Sequence, residues 1–191
     1  INLKNYNIKP MYISSDAVFD GSKGNYKESD SLNPLNKYGY IKKKMEFFIK
    51  KNFSKFVIIR ISKYFSNKLI SNDFLTDMIH NIKSKKIVEY ASDEQFSPIY
   101  EKDLNKYIYN ILAKDLDGFF HLSSLKKISR YNLALKIKSI AKSKSKVLKS
   151  KINSIKFNAK RGKNCTLNTD KYDKLFLNKK KKLEYYLKIF L

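Results

Sequence analysis

Tyr38 and Lys42 stand four residues apart in the run Tyr38-Gly39-Tyr40-Ile41-Lys42. If that run opens a helix, the phenol and the ammonium share one face, a turn apart. An ammonium beside a phenol favours the phenolate, which suits a tyrosine to moving a proton near neutral pH. The pair alone is weak evidence, because a chain with 14 tyrosines and abundant lysine produces this spacing readily. A core tyrosine followed by a solvated lysine fits it equally well. A second feature lies upstream. The apolar run Met11-Tyr12-Ile13 leads into Ser14 and Ser15, so a strand ends in two small hydroxyls. The C-terminal edge of a parallel sheet is where open α/β sheets bind ligands. A serine hydroxyl there is placed to hydrogen-bond a carbonyl or alcohol while Tyr38 transfers the proton. A plain serine turn is the competing explanation, and Ser14 competes with Ser15 for the role.

These residues need elements to hold them. Residues 11–14 read as a short strand, and 20–36, rich in Gly, Ser, Asn and Asp, as a loop. Residues 37–53 read as a helix with Met45, Phe48, Ile49 and Phe53 as its apolar stripe. Residues 56–61 (FVIIRI) form a continuous β-branched run suited to a strand buried on both faces of a parallel sheet. Strand, helix and strand in that order make a βαβ unit. Further on, helices are expected at 73–84, 101–114, 129–142, 171–176 and 181–190, and strands at 86–91 and 118–123. In the 101–114 helix Leu104, Ile108, Ile111 and Leu112 should face inward, and Ser129 is a plausible N-cap for the 129–142 helix. Alternation of strands and helices argues for an α/β fold.

Composition removes several classes. The formal net charge of +24 invites a nucleic-acid reading. Only three of the 41 basic residues are arginine (Arg60, Arg130, Arg161), and arginine is the preferred fork for bases and phosphates. Lysine travels here with Asn, Ile, Tyr and Phe, types that share A/T-rich codons, so base bias accounts for much of the charge. Neither a specific nucleic-acid partner nor a membrane span is expected. The single cysteine, Cys165, cannot form an internal disulfide, and a cytoplasmic location is the simplest reading. His80 and His121 lack metal-ligand spacing with it; His121 reads as a structural strand histidine.

Taken together, three segments resemble the dTDP-4-dehydrorhamnose reductase branch of the extended short-chain dehydrogenase/reductases. They are Ser14-Ser15-Asp16-Ala17-Val18-Phe19-Asp20-Gly21, Tyr26-Lys27-Glu28-Ser29-Asp30 and Pro34-Leu35-Asn36-Lys37-Tyr38-Gly39-Tyr40-Ile41-Lys42, in the family's order and at fitting spacing. Asp93 to Tyr100 with Asp103-Leu104, Gly118-Phe119-Phe120-His121-Leu122 and Arg161-Gly162-Lys163-Asn164-Cys165-Thr166-Leu167 continue the likeness to the end of the chain. Two positions depart from the family. Lys63 stands where an aromatic residue is frequent, and Gly162 follows Arg161 in place of proline.

The resemblance implies an α/β fold comprising the C-terminal part of a Rossmann-like parallel sheet and a small α/β substrate-binding region. Residues 1–66 would belong to the core and 67–191 to the intertwined substrate region. It implies NADPH or NADH as cofactor, with Mg2+ allowed, and a dTDP-linked nucleotide sugar as substrate, with a homodimer allowed. It also implies roles. Tyr38 would give the proton, Lys42 would tune it and hold the cofactor ribose, and Ser15 would complete the triad. Ser14 and Ile61 would join Tyr38 and Lys42 at the cofactor. Asp16, Val18, Phe19 and Arg161 would join Ser15 at the substrate. The family's G-x-x-G-x-x-G phosphate loop does not occur in these residues. The chain is therefore expected to lack an N-terminal dinucleotide-binding part of about 90 residues, at about 30 per βαβ step, and to bind cofactor poorly by itself. An epimerase or dehydratase using the same Tyr-x-x-x-Lys pair, and a non-catalytic subunit like the regulatory beta subunit of methionine adenosyltransferase, are the competing readings.

Overall fold

β1 (Met11–Ser15) pairs parallel with β2 (Val57–Ile61), which pairs parallel with β7 (Gly118–Leu122), giving a three-stranded sheet in the order β1-β2-β7. The structure, a computed structural model, describes residues 8–66 and 73–191. Its register sets Ser15, Ile61 and Leu122 side by side at the carboxyl edge. The expected double burial of 56–61 holds: Val57, Ile58, Ile59 and Arg60 are all buried. Val57, Ile59, Phe120 and Leu122 pack against Leu104, Tyr107 and Ile111 of α3 (Glu101–Ala113) and Tyr172 of α5 (Asp170–Leu175). In α3 Tyr107 takes an inward position, and Leu112, expected inward, is exposed.

A second core forms around α2 (Phe74–Ser84), α4 (Arg130–Ile140) and α6 (Leu183–Phe190), with Leu75, Met78, Ile82, Leu133, Ile137 and Leu187 at its centre. Asp73 caps α2 by accepting from the amides of Leu75 and Thr76, and Ser129 caps α4 as its sequence position suggests. Here β4 (Ile87–Ala91) pairs parallel with β9 (Lys146–Ser150), and the latter was not expected. Its sequence, KVLKS, sits in a lysine-rich stretch that reads as solvated surface, and its partner lies some 60 residues upstream. Two further pairs are only two residues long. They are β3 (Tyr64–Phe65) with β6 (Ile99–Tyr100), and β5 (Gln95–Phe96) with β8 (Ile128–Ser129). The boundary expected after residue 66 falls at 67–72, outside the described residues.

The helix that carries the Tyr-x-x-x-Lys pair, α1 (Lys37–Asn52), begins at Asn36, whose side chain accepts from the Gly39 amide. Its inward face is not the expected apolar stripe. Gly39, Glu46 and Ile49 are buried, whereas Met45 and Phe48 are exposed. The reason is a polar key. Arg60 of β2 grips Glu46 with two parallel bonds, Nη2 to Oε2 at 2.7 Å and Nε to Oε1 at 3.0 Å, both side chains almost fully buried. Ser14 of β1 donates to Glu46 as well, at 2.5 Å. Arg60 Nη1 reaches the Glu28 carbonyl and the ring of His121 on β7. One carboxylate thus ties α1 to β1 and β2, and its arginine extends the tie to β7.

A buried pair broken on one side leaves an uncompensated charge. Glu46→Gln should cost about 3–5 kcal/mol in urea denaturation. The double variant Glu46→Leu/Arg60→Met should recover most of that loss, since paired apolar replacements are often neutral.

Candidate active site

α1 meets the sheet closely at its first turn. A Cβ built on Gly39 would lie 2.0 Å from the Ala17 carbonyl oxygen, so only glycine lets the helix approach the 3-10 turn Asp16–Val18 that follows β1. This contact holds Tyr38 beside the β1 tip. Tyr38, Ser15, Asp16, Phe19, Lys63 and Arg161 line one cleft of about 330 Å³, with Asn36, Glu94 and Cys165 also on its wall. Tyr38 is half exposed. Lys42 lies one turn along α1, its Nζ 5.6 Å from the Tyr38 ring centre and 4.8 Å from that of Tyr12. It donates to the Ile13 carbonyl at 2.8 Å. An ammonium carries three donors, so others remain for ligand hydroxyls.

At the strand tips the serines part company. The Ser15 hydroxyl faces the cleft side, accepting from the Ala17 amide and donating to Asp16 Oδ1, both at 3.1 Å. Ser14, one residue earlier, points to the opposite face and is occupied by Glu46. Ser62, just past β2, donates to Asp16 Oδ2 at 2.5 Å, so Asp16 bridges the tips of β1 and β2. Burial pushes the Asp16 carboxyl up from its ordinary range and, beside it, the Lys63 ammonium down. Burial likewise pushes the Cys165 thiol up to about 12, which makes it an unreactive wall residue.

Of the residues singled out in the sequence, the structure gathers Ser15, Asp16, Phe19, Tyr38 and Arg161 on the cleft and sets Lys42 behind Tyr38. Val18 is fully buried in a small core with Phe19, Tyr26 and Leu167, and Ile61 packs against the α3-side core. Phe19 stacks on Tyr26 with ring centres 4.2 Å apart. Sequence reasoning missed Glu94 as a cleft residue, and no local pattern marked it. Lys63, a departure from the family in the sequence, lines the cleft just past β2, and Ser62 beside it reaches the cleft through its bond to Asp16. His121 is structural, as expected. Its Nδ1 bonds the Tyr26 carbonyl, and burial, then the neighbouring Arg60, push its pKa down to about 3. Among the described residues no group of three or more His, Cys, Asp or Glu side chains could hold a metal, so the Mg2+ allowed above has no such donor set here.

A family model described as the RmlD substrate binding domain matches residues 3–191. The chain belongs to the RmlD substrate-binding domain family. The likeness to dTDP-4-dehydrorhamnose reductases read from the three segments is thereby borne out. The chain is 30% identical over 139 residues to the dTDP-4-dehydrorhamnose reductase of Aggregatibacter actinomycetemcomitans, covering 69% of this chain and 47% of that protein. It is 27% identical over 172 residues to the methionine adenosyltransferase 2 subunit beta of Bos taurus, covering 86% and 52%. Among solved structures, the dTDP-4-dehydrorhamnose reductase of Bacillus anthracis in complex with NADP superposes with a TM-score of 0.86 at 30% identity, over 95% of this chain and 64% of that one. The chain spans about half the length of the curated relatives it matches. This RmlD-type domain keeps the family's α/β architecture with parallel strands. No helix among the described residues is long and apolar enough to cross a membrane.

Gly39→Ala should lower the melting temperature by an amount equivalent to about 1–3 kcal/mol, as overpacking does, and should shift the Tyr38 ring resonances in NMR spectra. For His121 the sign is fixed by its depressed pKa. The unfolded imidazole takes a proton below about 6.5 while the folded one stays neutral, so its contribution is lost as pH falls from there toward 3. The raised carboxyls of Asp16 and Glu28 work in the opposite sense. Comparing wild type with His121→Gln isolates the imidazole: the stability advantage of wild type at pH 7 should shrink by about 1.4 kcal/mol per pH unit below 6.5.

Proposed function

We propose that this chain is the substrate-binding, proton-transferring part of a sugar-nucleotide reductase that converts dTDP-4-dehydro-6-deoxy-L-mannose to dTDP-L-rhamnose with NADPH or NADH. The observation that carries this reading is one cleft at a parallel-sheet edge lined by Tyr38 and Ser15, with Lys42 a helical turn behind the tyrosine. The reductase names of the relatives that match these segments give the sugar. Lys42 fits a nicotinamide nucleotide because its Nζ has donors to spare after bonding Ile13, beside a tyrosine on the cleft rim.

The cofactor, when bound, supplies the hydride to C4. Tyr38 supplies the proton to the C4 oxygen, with the Lys42 ammonium one helical turn behind it. Ser15 exchanges its bond to Asp16 for one to the same oxygen and holds it within reach of the phenol. Lys42 holds the ribose hydroxyls and keeps its place through Ile13. A cytoplasmic location suits this chemistry and the lone cysteine.

The match to a methionine adenosyltransferase subunit favours a second reading, in which the chain binds without catalysing. The Tyr38–Lys42 pair facing a cleft argues against it. With the chain joined to a dinucleotide-binding part of the same family, absorbance at 340 nm, followed with NADPH or NADH and the keto sugar, should fall. Tyr38→Phe should slow that rate by about 10²-fold or more with little change in KM. Wild-type turnover in that variant removes the proton role, and co-purification with a partner enzyme without NAD(P)H oxidation supports the binding role. An epimerase or dehydratase would reveal itself in the product.

A further inference from the structure

Residues 131–169 contain no Asp or Glu, although 17 acids are spread through the rest of the chain. Base bias raises lysine without removing carboxylates, so it leaves this gap unexplained. The fold gathers part of the stretch into a patch. α2 and α4 end side by side: the Ser143 hydroxyl donates to the Ile82 carbonyl at 2.5 Å, and the Lys146 amide donates to the Lys86 carbonyl at 2.7 Å. These bonds bring Lys83, Lys85 and Lys86, around the end of α2 and the approach to β4, up to Lys142, Lys144 and Lys146, between α4 and the start of β9. All of these lysines are exposed, and none forms an ion pair among the described residues.

Helix ends account for some of them. Lys83 and Lys85 complement the negative end of α2, and Lys142 that of α4. Lys86, Lys144 and Lys146 lie at the strand entries, where no such role exists. Beside them the β4–β9 pair has an outer face. Val88, Tyr90 and Val147 pack into the second core. Alternation then turns Ile87 and Leu148 outward, 58% and 37% exposed, with Lys146 directly across from Ile87. Glu89, opposite Leu148, is the one acid among the paired residues.

The patch therefore combines unpaired ammonium groups with two exposed aliphatic side chains. Lysine is a point charge and lacks the planar fork that suits nucleic-acid phosphates and bases. A bilayer surface asks only for point charges near its headgroup plane and for apolar side chains that enter the headgroup layer. We propose that this corner of the molecule docks peripherally on an anionic phospholipid bilayer, the lysines facing the headgroup phosphates and Ile87 and Leu148 entering between them. None of these residues lines the Tyr38 cleft, so docking and the chemistry of the cleft draw on separate side chains.

Co-sedimentation of the chain with phosphatidylcholine vesicles, with and without phosphatidylglycerol, tests this at about 0.1 M salt. Wild type should bind only the vesicles that contain phosphatidylglycerol. The variant Lys85→Gln/Lys86→Gln/Lys144→Gln/Lys146→Gln should bind them about tenfold more weakly or less. The control Lys50→Gln/Lys51→Gln/Lys102→Gln/Lys106→Gln, with the same net charge, should stay within about threefold of wild type. Ile87→Ser/Leu148→Ser should weaken binding at unchanged charge, and thermal melts should show every variant folded. Equal loss in the two glutamine variants assigns the binding to overall charge and overturns the patch. Absence of wild-type binding, or full binding by the serine variant, overturns it too. Tighter binding to duplex DNA than to vesicles of equal phosphate concentration replaces the bilayer with nucleic acid and likewise overturns the proposal.

Discussion

Arg60 and Glu46 lie buried against each other between α1 and the sheet, and the way α1 sits follows from their pairing. Two opposite charges removed from water must meet with good geometry, and the two parallel bonds allow one rotation and one register of the helix. Ser14 fixes the same carboxylate from β1. With Glu46 held inward, Lys42 one turn earlier falls on the Ile13 carbonyl, and Tyr38 another turn earlier reaches the cleft rim. Residues four apart on one helix face are thereby placed in sequence along the sheet: charge key, ammonium, phenol. The apolar side chains Met45 and Phe48 turn outward as a result.

The cleft is built from segments that sequence separates widely. The β1 tip brings Ser15 and Asp16, the segment after β2 brings Lys63, and two later loops bring Glu94 and Arg161. Asp16, accepting from both Ser15 and Ser62, holds the two tips in one plane of contacts. Bonds of this kind, partly shielded from water, count for more than the surface pairs elsewhere. Lys136 with Glu184, both well exposed, contributes at most about 1 kcal/mol. The shielded polar contacts among Ser15, Asp16 and Ser62 lie at the strand tips beside the cleft.

The chain matches about half the length of its curated relatives, and the three residues proposed for proton transfer all lie within it. Phenol, ammonium and serine come from one βαβ unit and need only that unit's geometry. Phosphate-loop chemistry depends on a glycine-rich turn that these residues do not contain.

The sequence by itself determined the α/β class, the strand–helix–strand order around Tyr38 and Lys42, the double burial of 56–61 and the family. Each of these rests on local pattern: hydrophobic period, a cap residue such as Ser129, and motif order. Only the tertiary structure decided that Ser15 and not Ser14 faces the cleft, because alternation along a strand has meaning only once one face is known to hold Glu46. It also decided that Glu46 and not Met45 faces inward, since a helical stripe read by hydrophobicity cannot see a buried arginine 14 residues away. The pairing of β9 with β4 was beyond the sequence for the same reason. Contacts between residues far apart along the chain are set by packing, and no local pattern encodes them.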